Sequence, residues 1–144
     1  MSKPITIYLA GGCKNEPDEG KGWRREATEK IRTTAGWEEK RVEVIDPTEY
    51  FSYSGKRHKH DKQVMDYYYW RIRNSDVVLV NLNRSEDSCG TCMELQYASD
   101  KEIPIVGFGT EGVYNWTIPL AQVQFSTLTE AIDYLRDYYI ASND

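Results

Sequence analysis

The segment from Asp76 to Leu82 reads Asp-Val-Val-Leu-Val-Asn-Leu, with four apolar residues in unbroken succession. A strand with one face in water alternates polar and apolar residues, and this one does not. Its pattern requires cover on both faces, as a central strand of a parallel sheet has.

The rest of the chain supplies the partners. Ile5–Ala10 is β-branched and aromatic and stops at Gly11 and Gly12, which predicts a buried strand and a glycine turn. Val42–Ile45 predicts a second strand, closed by Asp46-Pro47. Ile103–Phe108 predicts a fourth and Val123–Phe125 a short fifth. Helices are expected over Trp23–Thr34, where Trp23, Ala27 and Ile31 recur at steps of four and Gly36 is the stop. Further helices are expected over Val64–Arg73, Gly90–Ser99 and Thr127–Ile140. Thr127 or Thr129 could cap the last, with Glu130 close behind. Lys14–Lys21 and Tyr50–Asp61 are expected loops. Alternating strands and helices imply an α/β doubly wound parallel sheet with helices on both faces. The 144 residues suit one domain spanning 1–144.

A net charge of −5 argues against a nucleic-acid polymer as partner, because such binders concentrate Lys and Arg. No apolar run is long enough to span a bilayer, so no membrane partner is expected. Met1–Pro4 runs into a strand with no signal-peptide pattern, and three cysteines suggest free thiols in a reducing, cytoplasmic setting.

Ligands of such sheets bind beyond the carboxyl ends of the strands. There the sequence places Gly11-Gly12-Cys13-Lys14, then Asn83–Gly90, then Gly107–Gly109. Tyr8 lies near the end of the first strand. Glu94 lies near the start of the helix after the third, behind Gly90-Thr91. Taken alone, Glu94 reads as a solvated helix glutamate; its position makes it a candidate facing the cleft. Gly11-Gly12 reads as a tight turn or as a phosphate cradle with Lys14 as cation, and it has neither Walker A nor GxGxxG spacing. Cys89-Gly90-Thr91-Cys92 at a helix start could favour a thiolate, which leaves a redox site open. A zinc site would need two further ligands from Cys13, His58 or His60. The basic loop Lys56–His60 is either solvated or a lid for an anionic substrate. One face of Tyr67–Trp70 is expected in the core and the other against a base.

Taken together, these segments resemble the nucleoside 2-deoxyribosyltransferase family. Tyr8–Gly12 resembles its opening strand and glycine turn, and Ile72–Val80 its helix-to-strand signature. Gly90–Ala98 resembles its active-site helix, G-T-x-x-E-x-x-x-A, which is the most specific of the three. Ile103–Gly107 fits its next strand. The resemblance implies a flavodoxin-like sheet of order 2-1-3-4-5. It implies that Glu94 attacks the anomeric carbon of a (deoxy)ribosyl group, that a covalent glycosyl-enzyme forms, and that a second base or water accepts the sugar. Tyr8 would orient Glu94. No cofactor and no metal are implied, and the partner is a small nucleoside or nucleotide.

Two positions depart from the family. Where it carries an aspartate that protonates the leaving base, this chain has Tyr68, and Asp66 is the nearest acid and the expected substitute. Where its transferases carry an aspartate six residues before the nucleophile, this chain has Ser88 beside Asp87. Serine there resembles the related nucleoside 5′-monophosphate N-glycosidases, in which a basic residue at the position of Lys14 helps to hold the phosphate. Gly12 stands where those enzymes have a serine. The expected substrate site is therefore Gly11, Gly12, Lys14, Asp87, Ser88 and Gly90. Asn115, in Gly112–Trp116, is expected either as a surface-loop residue or as a donor to a neighbouring subunit of a homodimer. The alternatives to a transferase are a monophosphate N-glycosidase, a nucleotide-binding module without catalysis, and a redox protein.

Overall fold

The computed structural model describes residues 4–13, 15–34, 42–50 and 60–141. Five strands form one sheet: β1 (Ile5–Ala10), β2 (Val42–Ile45), β3 (Val77–Asn81), β4 (Ile105–Phe108) and β5 (Val123–Phe125). All neighbours pair in parallel, in the order β2-β1-β3-β4-β5. This is the flavodoxin-like order expected above. The helices are α1 (Lys21–Arg32), α2 (Pro47–Tyr50), α3 (Asp61–Arg73), α4 (Cys89–Asp100) and α5 (Leu128–Leu135).

The central run does what its composition requires. Val77 and Leu79 point into one core with Ile7 and Leu9, under Ala27 and Ile31 of α1 and Ile132 and Leu135 of α5. Val78 and Val80 point into the other with Tyr8 and Ala10, under Ile72 of α3 and Leu95 and Ala98 of α4. Residues 77–80 are at most 1% exposed. Gly107 in β4 has a packing reason: a Cβ there would come within 2.7 Å of Leu82 Cδ1.

Several boundaries differ from the sequence reading. α3 starts at Asp61, three residues before the first apolar position of its pattern, because His60 and Gln63 cap it reciprocally. Pro47–Tyr50 forms a one-turn helix instead of a plain turn; Asp46 accepts the Thr48 backbone N–H and hydroxyl and nucleates it. Asn115–Leu120 is a 3₁₀ helix where only a loop was expected. At α5, Thr127 rather than Thr129 is the cap, paired with Glu130. That helix loosens into a π turn over Arg136–Ile140. α1 opens on Gly20, at φ 76°, and Asp18 accepts the N–H groups of Gly20 and Gly22. The proposed stop at Gly36 lies outside the described residues.

Candidate active site

The chain leaves β1 towards β2 on one side and returns as β3 on the other, so the β1 and β3 ends diverge at the switch point. A cleft of about 790 Å³ opens there. The turn after β1 contributes Gly11, Gly12, Cys13, Asn15 and Glu16. The segment after β3 contributes Arg84, Asp87 and Ser88, and α4 contributes Cys89, Gly90, Thr91, Met93 and Glu94. From α3 come Asp61, Lys62, Val64, Met65, Tyr68 and Tyr69. A smaller hollow between α1 and α5, about 260 Å³, holds none of the candidate residues.

Tyr8 and Glu94 meet although 86 residues separate them. The Tyr8 hydroxyl donates to Glu94 Oε2 at 2.6 Å. Tyr8 is fully buried, while Glu94 is half-buried and faces the cleft. Burial pushes the Glu94 carboxyl up to about 7; the Tyr8 hydrogen bond and the Arg24 charge pull the other way. Burial, then the Glu94 charge, raise Tyr8 well above its ordinary value, so its hydroxyl stays a donor at any working pH.

Arg24 escaped the sequence reading, which placed only its helix neighbours. It is 1% exposed and donates to three carbonyls: Leu9 at 3.2 Å, Gly20 at 2.9 Å and Gly11 at 3.0 Å. Asp46 lies 3.9 Å from its Nε. Loops beyond the strands are tied in the same manner. Asn83 Oδ1 accepts the N–H groups of Thr110 and Glu111, and Asn15 donates to the Asp87 carbonyl. Arg84 pairs with Glu16.

Six of the expected substrate and catalytic positions line this cleft: Gly11, Gly12, Asp87, Ser88, Gly90 and Glu94. Tyr8 joins them through its hydrogen bond. Lys14 lies outside the described residues, as does His58. Ser88 shares a 2.6 Å hydrogen bond with Thr91, and both face the cleft at the start of α4. Asn115 is exposed and lies outside the cleft of its own chain.

Asp66 is not brought into the site. Helical phase puts Asp61, Met65 and Tyr68 on the cleft side of α3 and turns Asp66 to solvent, where it pairs with Lys62 at 2.8 Å. Asp66→Asn is therefore expected to change kcat/KM by less than about twofold, as surface substitutions outside a site do; a tenfold loss in steady-state rates would return Asp66 to the site.

The aromatic run divides around the helix. Tyr67 stacks on Tyr50, Tyr69 stacks on Tyr97, Tyr68 and Tyr69 reach the cleft, and Trp70 stays exposed. Burial raises the Cys92 and Cys13 thiols above their usual range, which favours the protonated form. A reactive C-x-x-C works by the opposite shift. Among the described residues no three His, Cys, Asp or Glu side chains converge to hold a metal ion.

A family profile described as nucleoside 2-deoxyribosyltransferase matches residues 7–126. The chain belongs to that family. Solved members and relatives share its fold. The 2-deoxyribosyltransferase of Bacillus psychrosaccharolyticus has a TM-score of 0.69 at 17% identity, over 96% of this chain and 95% of that one. That of Leishmania mexicana has 0.69 at 20% identity, over 94% and 99%. The CMP N-glycosidase of Clostridium botulinum has 0.57 at 18%, over 92% and 98%. No curated protein gives a significant match. Family and fold together support activity of the deoxyribosyltransferase or N-glycosidase kind. No helix among the described residues is long and apolar enough to cross a membrane.

Proposed function

We propose that this member of the family transfers a (deoxy)ribosyl group between bases, with Glu94 as the nucleophile. The observation that carries the reading is the Tyr8–Glu94 hydrogen bond at the rim of an aromatic-walled cleft. With Oε2 committed to Tyr8, Oε1 is the oxygen offered to C1′. Attack forms the C1′–O bond of a glycosyl ester and breaks the N-glycosidic bond, whose electron pair leaves with the base. A second base then attacks C1′ and releases the carboxylate. The transition state is oxocarbenium-like, so an anion beside C1′ stabilises it. A base wall of Val64, Met65, Tyr68 and Tyr69 suits a flat heterocycle, and Met93 adds apolar surface from α4. On the same wall the Tyr68 and Tyr69 hydroxyls can donate to the departing base.

The charge of the described cleft residues favours a neutral nucleoside. Among them Asp61, Asp87 and Glu94 are acidic, while Glu16 is paired with Arg84 and Lys62 with Asp66. The Ser88–Thr91 hydroxyl pair at the α4 N-terminus supports the second reading, hydrolysis of a nucleoside 5′-monophosphate. A panel of deoxynucleosides and their monophosphates, with and without a free acceptor base, separates the two. Base exchange on unphosphorylated substrates is the expected result. Release of base from monophosphates alone would replace the transferase with the hydrolase, and tight binding with no turnover would replace both with a binding module.

Glu94 must be ionised to attack, so kcat/KM should fall on the acid side with a limb near pH 7. The Tyr8 hydroxyl stabilises the ionised form. Tyr8→Phe should move that limb upward and cost roughly 10- to 100-fold at pH 6, with a smaller loss at pH 9. A pH–rate profile with an unmoved limb would remove Tyr8 from the mechanism.

A further inference from the structure

Arg24 sits on α1, outside the cleft lining, yet its hydrogen bonds to Leu9, Gly11 and Gly20 all run to the segment that frames the nucleophile. Its fork spans the carbonyls of Leu9 and Gly11, the residues on either side of the β1 end, and of Gly20 at the start of α1. Gly20 has a left-handed φ of 76°, and a Cβ there would collide with Arg24 Nη1 and the Gly12 carbonyl. Trp23 lies beside the guanidinium, at 4.9 Å from its ring centroid, and packs edge-on against Phe108 at 5.5 Å. The arginine is thus held from several sides, and Asp46 at 3.9 Å offsets only part of its charge.

We propose that Arg24 is a positioning residue for the Glu94 chemistry: its guanidinium fixes the β1 turn around the Tyr8–Glu94 pair and supplies a permanent positive charge beside that pair. The proposal rests on reading Glu94 as the nucleophile. An arginine is suited to both tasks, because its planar fork satisfies several carbonyls and it cannot lose its proton. Among the described residues, the titratable and charged groups that interact electrostatically with Glu94 are Tyr8 and Cys13 from β1 and its turn, Arg24 from α1, and Tyr69 from α3. Tyr68 faces Tyr8, Tyr97 faces Tyr69, and Asp46 faces Arg24 and Cys13. Among the described residues Arg24 is the one cation in that set, and it opposes the effect of burial on Glu94.

Two variants separate the tasks. Arg24→Lys keeps the charge and loses the fork; Arg24→Gln loses the charge. The titration of Glu94 is read without turnover, from the pH dependence of the stability difference between each protein and the same protein carrying Glu94→Gln. The pH–rate profile is read alongside it. In Arg24→Gln the titration midpoint should rise by about one pH unit, and kcat/KM at pH 6 should fall roughly tenfold further than at pH 8.5. In Arg24→Lys the midpoint should stay within about 0.3 pH unit while kcat falls about tenfold, because the turn is no longer held. An unmoved midpoint in folded Arg24→Gln would reduce Arg24 to a purely structural tie. If Arg24→Gln does not fold, the lysine variant decides: wild-type kcat in it would overturn the proposal. Absence of glycosidic turnover in the wild type would sink the nucleophile reading while leaving the stability titration readable.

Discussion

Glu94→Gln should lower base exchange by about 10⁴-fold or more, a loss on the order of 5 kcal/mol of transition-state stabilisation. The amide keeps the shape of the carboxylate, and its oxygen can still accept from the Tyr8 hydroxyl, so the pocket stays intact. What it loses is the negative charge that faces the developing oxocarbenium ion and the electron pair that forms the ester. Nucleoside affinity should change by less than about threefold, because the apolar wall on α3 and the polar end at Ser88 and Asp87 are untouched. Loss of turnover with binding retained assigns the chemistry to the carboxylate; loss of both would mean that Glu94 serves binding. The wild type should also gain the mass of one glycosyl unit during turnover, and the variant should not. A variant with a tenth or more of wild-type activity would exclude Glu94 as nucleophile.

The legible parts of the chain are those where a side-chain pattern and a backbone period coincide. The apolar run Val77–Val80 could only be a strand covered on both sides, and it carries both cores. Tyr8 and Glu94 are legible at one edge because the parallel order brings the end of β1 and the start of α4 together, while their pairing is what the family resemblance implies. Where the outcome depended on helix phase the sequence was weaker. Asp66 is the acid nearest to Tyr68 along the chain, but two residues on a helix differ by about 200°, which sends Asp66 to solvent. Counting by seven from Tyr68 would have reached Asp61, which does face the cleft. Arg24 was invisible for another reason. Hydropathy assigns arginine to the surface, and no local pattern announces that three carbonyls from residues 9, 11 and 20 will converge on one side chain. Asn83 was hidden in the same way, since its partners lie 27 and 28 residues away.

The same Glu94→Gln substitution should stabilise the protein above neutral pH, which is the opposite sign from its effect on activity. In the folded chain burial raises the Glu94 carboxyl from 4.5 to about 7. The folded state therefore holds this proton more tightly than the unfolded chain does, and stability linked to it is fully present below about pH 4.5. It is lost progressively as pH rises through 7, where the unfolded chain ionises freely and the folded one is left with a charge in a half-buried place. The complete loss is on the order of 3 kcal/mol, from the width of that interval at 1.36 kcal/mol per pH unit. Glutamine carries no such penalty. At pH 8 the variant should melt roughly 10 °C above the wild type for a chain of this size, and at pH 4 the two should melt within about 2 °C. The gap should open between those values with its midpoint near pH 6. Such a trade of stability for function is expected where a charged nucleophile is kept out of water. Thermal melts at half-unit pH steps test it: equal melting temperatures across the range would mean that Glu94 titrates in the fold as it does in the unfolded chain, and that burial imposes no cost on the charge the chemistry needs.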